Sequence, residues 1–550
     1  MMAPPVDEGS VFDFVVVGGL VWDLAGPAGS VIAARLAKTS TAPQVLLLEA
    51  GELNVELTHR VAGARYTFWN TEDGAKYNYR YKSVPEPELA RRELVYDRGH
   101  GLGGSTSINI GLWDYGRKEE MEEWARLVDD DAWTWNGLLT RIKKIERFHN
   151  DTPAEFRDGP DPANHGTNGP LDVTLPSTWT PGLQIVLDGA KKYGFPVLSS
   201  LYSGNLGMGV VASTTYKGLR TTAATAYLTD APSNLSIKTG SIVARVLFDG
   251  KKAVGVELTD GTKYFASKEI ILSAGAIDTP KILLLSGVGP QEELAKHSIP
   301  VVSNLPAVGR NLKDHYLVQL QALVRPGTVP NVSLSDLASW QAQWTKDQTG
   351  PLALDPGMLA LGYFQLDNLA TFPEFQQLDE RTRAIVPIPG AEKGIIQASV
   401  ILMNAQSSGR VSLKSSDPIT PPILELNYLQ HPYDRRVYIE AIKKAVDYMF
   451  NSDMPVTEQI QGPKSTSDND ILQFLREHIG PAWHALGTVK MGKVDEDTTC
   501  VDPEFRVVGL NNLRVADMSA NCHVCSNHTQ STAYLIGEVA ADKLIKEYNL

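Results

Sequence analysis

The chain has 550 residues, of which 43% are hydrophobic and 21% charged, a composition that excludes a disordered or fibrous protein. At this length we expect two closely joined domains. The net charge of −13 argues against a nucleic-acid or anionic-membrane partner, and three cysteines are too few for a disulfide-stapled scaffold.

Neither a membrane span nor a secretion signal is predicted. No apolar run is long enough to cross a bilayer, and the first ten residues are polar. The first apolar stretch, Val11–Gly19, runs directly into a glycine-rich motif. Together with the small number of cysteines, these features lead us to expect a cytoplasmic protein with no membrane partner.

A β-α-β unit is predicted at the start of the chain. Phe12–Val17 (FDFVVV) is an apolar, β-branched run that is typical of a buried parallel strand. Gly29–Lys38 has apolar residues at helical spacing, and Val45–Leu48, followed by Glu49, favours a second strand.

The turn inside this unit carries the glycines of a dinucleotide-binding loop, but six residues interrupt them. Without Leu20–Ala25 the sequence would read VVVGGGPAGSVIAARL, with Gly18 (and Gly19 beside it), Gly26 and Gly29 at the glycine positions. Such glycines make the tight turn, admit a pyrophosphate close to the backbone and let the helix pack on the strand. The alternative is a glycine-rich turn in an unrelated α/β protein.

The interruption conflicts with phosphate binding. Trp22 and Asp23 would lie at the pyrophosphate, where a carboxylate opposes the phosphate charge. Leu20–Ala25 is either a real insertion, which bulges outward or displaces the loop, or an artefact of the gene model, since it is six whole codons. Glu49 follows Gly29 by about 20 residues, the spacing at which an acid accepts the ribose hydroxyls.

Further along the chain, Met121–Phe148 is predicted to be helical and Asp151–Asn168 to be a long polar loop or domain crossing. Ile237–Leu258 predicts a β-hairpin with its turn at Asp249-Gly250, and Ile270–Ser273 predicts a short strand before a helix. The centre, Tyr316–Pro463, has no chemical motif.

Several segments carry recognisable motifs in a fixed order: Arg98–Asn109 (RGHGLGGSTSIN), Arg220–Leu228 (RTTAATAYL), Gly275–Pro290, Val308–His315 (VGRNLKDH), His484–Gly492 (HALGTVKMG) and Leu513–Asp517 (LRVAD). Together they resemble the signatures of the glucose-methanol-choline (GMC) oxidoreductases, and among these the aryl-alcohol oxidase-like members. The resemblance spans essentially the whole chain.

This resemblance implies an α/β fold, in which a Rossmann-like FAD-binding domain is assembled from separated segments. An α+β substrate domain with a mainly antiparallel sheet completes it. We expect the FAD-binding parts at residues 1–150, 216–315 and 466–550, and the substrate-domain parts at 151–215 and 316–465. The last FAD-binding part carries the catalytic histidines.

The resemblance also implies FAD as the cofactor. The residues expected to bind it are Gly18, Gly19, Gly26, Gly29, Glu49, Arg98, Leu102, Gly103, Gly104, Ser105, Asn109, Val243, Asp517 and Thr529. Some relatives attach FAD covalently through a histidine, but this chain has Ile108 at that place, so we expect FAD to be bound non-covalently. No metal site is expected. We hypothesise that the chain with Leu20–Ala25 binds FAD poorly.

Two histidines are the expected catalytic pair. The resemblance makes His484 the base that removes the hydroxyl proton of an alcohol, while the hydride goes to flavin N5, and makes His528 the second polar group. Trp483 is expected as an aromatic wall of the pocket or as a core residue, and His315 as a structural histidine.

The expected partners are a small-molecule alcohol, primary or aromatic, and O₂ or another electron acceptor. Two alternatives stay open: a lyase or other non-oxidising flavoprotein of the same fold, and an inactive homologue disabled by Leu20–Ala25. Cys522 and Cys525 lack a second pair for zinc and a thioredoxin-like context. A non-catalytic loop is the preferred interpretation there, with a thiol or disulfide near the flavin as the alternative.

Overall fold

The computed structural model describes residues 7–18, 26–53, 75–150, 164–175, 182–198, 201–325, 337–348, 350, 361–364, 371–376, 386–389, 395–452 and 454–550. Gly19, the interruption Leu20–Ala25 and most of the predicted loop Asp151–Asn168 lie outside the described residues.

A seven-stranded sheet forms the centre of the described structure, and it draws its strands from distant parts of the chain. In spatial order six of them are Leu235–Lys238, Val45–Leu48, Val11–Val17, Lys263–Leu272, Lys252–Leu258 and Val243–Asp249, and Leu513–Val515 also pairs with Lys263–Leu272. All pairs are parallel except the two that involve Lys252–Leu258. The predicted Rossmann-like fold class is therefore confirmed.

The predicted β-α-β unit is also confirmed. Val11–Val17 and Val45–Leu48 are neighbouring parallel strands, joined through the helix Pro27–Ala37. The helix begins at a proline, which lacks the N–H that would be unpaired at that position. Nearly all its residues are buried, because it packs against the strand Val45–Leu48 and the C-terminal helix Gln530–Tyr548.

Two predicted elements differ from the structure. The helix predicted over Met121–Phe148 is two helices, Lys118–Val128 and Trp135–Ile145, followed by the strand Glu146–Asn150. The break falls at Asp129, whose left-handed φ of 55° ends the first helix, and Thr134 caps the second by accepting a hydrogen bond from Gly137 N.

The hairpin predicted over Ile237–Leu258 begins only at Val243. Val243–Asp249 and Lys252–Leu258 form it, and Gly250 in its turn has a φ of 58° that suits glycine. Ile237 belongs instead to a separate strand, Leu235–Lys238, which is parallel to Val45–Leu48. The apolar pattern continues through both strands, so it did not reveal the gap between them.

A second, antiparallel sheet lies apart from the first. Tyr316–Val324 is its central strand, flanked by Ile395–Leu402 and Val456–Gln461, and Gly480–Pro481 also pairs with it. The helix Pro432–Asn451 packs on this sheet. The mainly antiparallel sheet that the sequence predicted is confirmed.

Shorter elements complete the described structure. The remaining strands are Tyr81–Lys82, Val95–Tyr96, Leu112–Trp113, Leu171–Leu175, Gly207–Gly209, Ala212–Ser213, Thr215–Tyr216, Leu219–Arg220, Val288–Gly289, Ser303–Asn304, Leu361–Phe364, Val386–Pro389, Arg410–Ser412 and Ile423–Glu425. The remaining α-helices are Leu183–Tyr193, Gly275–Leu285, Gln291–Lys296, Leu337–Asp347, Pro373–Gln376 and Asp468–His478. None of the described helices is both long and apolar enough to span a bilayer.

Candidate active site

A cavity lies at the carboxyl edge of the parallel strands. Ser273 and Gly275 line it directly after the strand Lys263–Leu272, and Asp517 lines it shortly after the strand Leu513–Val515. Sheets of this kind place their ligands at the carboxyl ends of their strands. The cavity therefore lies where the fold favours a cofactor.

Three helices begin at the cavity: Pro27–Ala37, Gly275–Leu285 and Gln530–Tyr548. No side chain forms a hydrogen-bonded cap on their first turns from the N-cap position. Asp517 reaches one of them, since its Oδ2 accepts a hydrogen bond of 2.8 Å from Gly275 N. The first turns of the other two helices direct N–H groups and the positive end of a helix dipole toward the cavity.

The described glycines of the dinucleotide loop stand at the start of the first helix. Gly18 directly follows the strand Val11–Val17, and its N–H donates to Leu48 O at 2.8 Å. Gly26 is the N-cap residue and lines the cavity. A Cβ on Gly29 would lie 3.2 Å from the Cβ of Ser273, so this glycine lets the helix pack closely on the strand.

The first GMC signature forms a tight glycine turn beside the cavity. Gly103 and Gly104 have φ angles of 98° and 60°, and a 3₁₀ turn follows at Gly104–Ser107. A Cβ on Gly99 would lie only 2.4 Å from Gly104 O, so no larger residue fits there. Ser105 lines the cavity, and its hydroxyl accepts a hydrogen bond from Gly99 N.

Asn109 ties this signature to two other segments. Its Nδ2 donates to Gln530 Oε1 at 3.0 Å, and its Oδ1 accepts a hydrogen bond from Arg220 at 2.7 Å. Leu102 is buried, and its backbone N–H donates to Glu52 O. These bonds hold the glycine turn against the C-terminal helix, which begins at the same cavity.

Glu49 lies next to the segment that leads into Val243. Glu49 is fully buried, and its Oε1 accepts a hydrogen bond from Gly51 N. Its carbonyl accepts a hydrogen bond from Ser241 N at 2.8 Å, which brings the segment leading into Val243 next to it. The structure thus places the expected ribose-binding acid beside the segment that precedes Val243, another of the expected FAD-binding residues.

FAD fits this set of residues. The open helix N-termini suit the pyrophosphate, the glycine turn admits a ligand close to backbone, and buried Glu49 lies at the strand end where a ribose would bind. Gly19 and the interruption Leu20–Ala25 lie outside the described residues.

His484 faces the cavity from a loop that neighbouring groups hold at several points. Asp314 Oδ1 accepts a hydrogen bond from His484 N at 2.7 Å, and the Tyr96 hydroxyl accepts one from Ala485 N at 2.9 Å. Asp314 is buried and also accepts hydrogen bonds from the hydroxyls of Tyr96 and Tyr428. Burial raises the pKa of Asp314 to about 7.

The residue before His484 has an unusual backbone conformation. Trp483 has a φ of 61°, rare for a bulky residue, and its carbonyl accepts a hydrogen bond of 2.9 Å from Arg98. Its side chain is 38% exposed and lines the cavity, so the alternative expectation of a core tryptophan is wrong. Strain of this kind persists only where surrounding contacts hold it.

His315 lies directly against the expected base. Its Nδ1 is 2.9 Å from the Nδ1 of His484, and the two rings meet edge to face. Burial lowers the pKa of His315 to about 3, so this ring is neutral. The sequence predicted a structural histidine here; it did not reveal the contact with His484.

The pKa of His484 lies well below its ordinary value. Burial is the main cause, because it disfavours the charged imidazolium. Positive charge on His315, His528 or Arg98 lowers it further. A histidine in this environment stays neutral at physiological pH and is free to accept a proton.

His528 faces His484 across the cavity. The two rings are 5.5 Å apart between centroids and stand edge to face. His528 is buried and donates its backbone N–H to Asp114 Oδ1 at 3.0 Å. The neighbouring Thr529 lines the cavity at the start of the C-terminal helix. The structure thus brings both expected catalytic histidines to one place.

The carboxylate of Asp517 already has hydrogen-bond partners within the protein. In addition to Gly275 N, its carboxylate accepts hydrogen bonds from the Thr279 hydroxyl and from the backbone and hydroxyl of Ser519. Burial raises its pKa. Its side chain therefore orders the loop at the edge of the cavity.

One wall of the cavity is apolar. Leu317 and Ile401 are directly opposite each other in the antiparallel sheet, and both line the cavity together with Ile110 and Leu112. These four residues belong to a separate apolar cluster behind the wall. Ser399, two residues from Ile401, adds a hydroxyl on the same face.

In the described part of the chain, the surroundings of the cysteines do not indicate a chemical role. Cys522 and Cys525 are free thiols, and burial raises the pKa of Cys522 to about 12. The pKa of Cys525 is raised well above its ordinary value for the same reason. Among the described residues no cluster of histidine, cysteine and carboxylate side chains is suited to a metal ion.

Two curated relatives match nearly the whole chain. It is 31% identical to the dehydrogenase pkfF of Emericella nidulans, over 98% of this chain and 94% of that protein. It is also 31% identical to the oxygen-dependent choline dehydrogenase of Sinorhizobium medicae, over 97% of this chain and 95% of that protein.

Solved structures agree in fold. A variant of the formate oxidase of Aspergillus oryzae is 25% identical, with a TM-score of 0.87 and coverage of 99% of this chain and all of that one. A fungal aryl-alcohol oxidase has a TM-score of 0.85 over 99% of this chain and all of that one, and at 22% identity this likeness concerns the fold alone.

The family models for the two parts of a GMC oxidoreductase match residues 12–317 and 405–537. These matches agree with the sheet, which gathers strands from separated segments beside one cavity, and with the histidine pair that lines this cavity. The chain belongs to the GMC oxidoreductase family and is an FAD-dependent oxidoreductase.

Proposed function

We propose that the protein oxidises an alcohol to the carbonyl compound, with a primary or aromatic alcohol as the substrate. The observation that carries this proposal is the pair His484 and His528, whose rings face each other 5.5 Å apart at the cavity. Two imidazoles at this separation contact each other edge to face, so the substrate hydroxyl group is proposed to lie beside the pair. FAD, when bound, accepts the hydride from the carbinol carbon.

His484 is proposed to remove the hydroxyl proton. Its Nδ1 already contacts His315, so Nε2 is the nitrogen left for the substrate. For Nε2 of His484 to accept a proton, Nδ1 of His484 must carry the hydrogen and donate a hydrogen bond to Nδ1 of His315. The lowered pKa of His484 keeps the ring unprotonated and ready for this role.

His528 is proposed to donate a hydrogen bond to the same substrate oxygen. As the hydroxyl proton leaves, negative charge grows on that oxygen, and a donor placed there in advance stabilises it. Both backbones are fixed beforehand, because the His484 loop donates hydrogen bonds to Asp314 and Tyr96 and the backbone N–H of His528 donates one to Asp114.

The apolar wall supports a substrate with an apolar substituent. Leu317, Ile401 and Leu112 offer it no charge, and Trp483 provides an exposed aromatic surface at the same cavity. We propose O₂ or another small acceptor for the second half-reaction. FAD is proposed to bind non-covalently, because Ile108, which lines the cavity, has no nucleophilic side chain.

The domain organisation follows the same logic. We propose that residues 1–150, 216–315 and 466–550 form the FAD-binding domain, with 151–215 and 316–465 as the substrate domain. The strands that form the edge of the main sheet at the cavity come from the first group, and the antiparallel sheet comes mainly from the second.

Anaerobic reduction of the bound flavin tests the alcohol activity. The purified protein is mixed with benzyl alcohol, straight-chain primary and secondary alcohols, choline and formate, and flavin absorbance is followed. We expect bleaching by a benzylic or straight-chain primary alcohol. If no alcohol in the panel bleaches the flavin, the proposal fails and a non-oxidising flavoprotein of this fold becomes the better assignment.

The interruption Leu20–Ala25 supports a second candidate, an inactive homologue that does not retain FAD. We predict that a variant lacking these six residues binds FAD more completely than the full chain, because Asp23 no longer opposes the phosphate charge. The measurement is flavin absorbance per protein after reconstitution with FAD. Equal occupancy in both proteins would refute this hypothesis, and a colourless full chain that cannot be reconstituted with FAD would favour the inactive homologue.

A further inference from the structure

Asp114 is a fully buried carboxylate next to the catalytic cavity, and neither the dinucleotide loop nor the GMC signatures include it. It follows the strand Leu112–Trp113 in the chain. Its Oδ2 accepts a hydrogen bond from the hydroxyl of Tyr363, on the strand Leu361–Phe364. Its Oδ1 accepts a hydrogen bond from His528 N at 3.0 Å.

The same oxygen is also close to the His528 ring. Nδ1 of His528 lies 3.5 Å from Asp114 Oδ1, is buried, and has no hydrogen-bond partner among the described residues. In the described part of the chain, His528 is also the only basic side chain within ion-pairing distance of Asp114. A buried carboxylate and a buried ring nitrogen each need a partner, and here they can satisfy each other.

Tyr363 holds the carboxylate in this orientation. Burial, followed by the charge of Asp114, raises the pKa of Tyr363 well above its ordinary value, so its hydroxyl keeps its proton and donates. With Oδ2 occupied by Tyr363, Oδ1 remains directed at His528.

The groups that face His528 differ in charge. Asp114 is on one side, with Tyr363 behind it, and the neutral His484 is on the other, 5.5 Å away between ring centroids. His315 is close enough that a charge on His528 lowers its pKa. A carboxylate beside one ring nitrogen favours a proton on that nitrogen. The other ring nitrogen then points away from the carboxylate.

We propose that Asp114 is a positioning residue that holds the Nδ1–H of His528 and directs its Nε2 to the substrate oxygen. The carboxylate keeps hold of the Nδ1–H while Nε2–H donates to the developing alkoxide. No bond forms or breaks at Asp114 itself. The hydrogen bond from His528 to the alkoxide rests on the proposed alcohol oxidation, whereas the orientation of the ring by Asp114 does not.

The orientation is tested by nitrogen NMR of protein labelled with ¹⁵N at its 11 histidines, in the FAD-bound and FAD-free states. The variant His528→Asn identifies the signals of this residue. We expect a protonated Nδ1 in the native protein and a change in the His528 signals in Asp114→Asn. Unchanged His528 signals in Asp114→Asn would overturn the proposal.

Glu120→Gln is the matched control. Glu120 is a buried carboxylate that holds the same loop, since it accepts hydrogen bonds from Ser526 N and the Ser526 hydroxyl at 2.7 and 2.6 Å. Its carboxylate bonds to Ser526, and it does not bond to Nδ1 of the His528 ring. We expect both variants to lower the stability of the protein, but only Asp114→Asn to change the NMR signals of His528.

The rate of flavin reduction provides the second readout. We expect Asp114→Asn to slow it by roughly 10–100-fold, the loss typical when the partner of a functional histidine is removed. The pH profile should also change, which Glu120→Gln should not cause. If Asp114→Asn fails to fold, Tyr363→Phe is the second variant, because it leaves the carboxylate in place. We expect it to change the His528 NMR signals less than Asp114→Asn would. Unchanged His528 signals in Tyr363→Phe would count against the proposal.

The two proposals fail separately. If no alcohol reduces the flavin but His528 shows the protonated Nδ1 that depends on Asp114, the orientation stands and the alcohol activity falls. If alcohols reduce the flavin and Asp114→Asn behaves like Glu120→Gln in both measurements, the activity stands and Asp114 is only structural.

Discussion

The two histidines at the cavity are the same residue type in opposite surroundings. His484 lies beside the neutral ring of His315, with Arg98 adding positive charge, and its pKa is lowered well below the ordinary value. His528 lies beside the carboxylate of Asp114. The two rings therefore differ in the group that lies beside them, a neutral imidazole for His484 and a carboxylate for His528.

This difference separates two tasks that alcohol oxidation requires. In the reaction we propose, the ring of His484 accepts the proton, and the ring of His528 donates a hydrogen bond to the same oxygen. The sequence motif around each histidine does not contain this information, because the deciding neighbours come from other segments.

Removal of the base should give the largest effect. We predict that His484→Ala slows flavin reduction by roughly 10²–10⁴-fold, the usual contribution of a general base, while FAD binding is retained. Stopped-flow reduction by the best alcohol and the flavin-to-protein ratio measure the two quantities. His297→Ala, in which the lost histidine contacts Leu413 O, is the control for histidine removal away from the cavity. A near-normal rate in His484→Ala would contradict the assignment.

Removal of the second histidine should cost less. We predict a loss of roughly 10²–10³-fold in His528→Ala, as for a single donor to a developing oxyanion, and a smaller loss in His528→Asn, which keeps a donor. The same reduction assay applies to both. A larger loss in His528→Ala than in His484→Ala would reverse the comparison and make His528 the base.

The smallest effect concerns pH. Because the pKa of His484 is lowered, the base stays unprotonated as the pH falls through 6.5, and protonation begins only at the lowered pKa. We therefore predict that kcat/KM for flavin reduction changes by less than about twofold between pH 8 and 6.5. Flavin absorbance at each pH controls for loss of FAD. A decline centred at 6.5 would show that His484 has an ordinary pKa.

Local sequence was sufficient for the elements with strong backbone demands. The run Phe12–Val17, the helix after Gly26 and the strand Val45–Leu48 were predictable because apolar periodicity reports burial directly. Gly103 and Gly104 were predictable because their left-handed φ angles favour glycine. The helix break at Asp129 was missed, because a non-glycine residue adopts the left-handed turn there.

The site was only partly predictable for a related reason. The motifs pointed to His484 and His528, but the structure assigns their partners: Asp314, 170 residues from His484, and Asp114, 414 residues from His528. The motif VGRNLKDH contained Asp314 and His315, and a structural role was the expectation for it. The sequence did not show that this motif contacts the loop that carries His484.

The sequence by itself determined the family, the cofactor and the chemical identity of the two histidines, because glycine turns and motif residues act through their own backbone and side chains. The tertiary structure decided which ring has a carboxylate beside it and which has neutral and positive neighbours. Charge and burial depend on distance in space, and the groups that supply them here are separated along the chain by up to 414 residues. The difference between the two histidines exists only once the chain has folded.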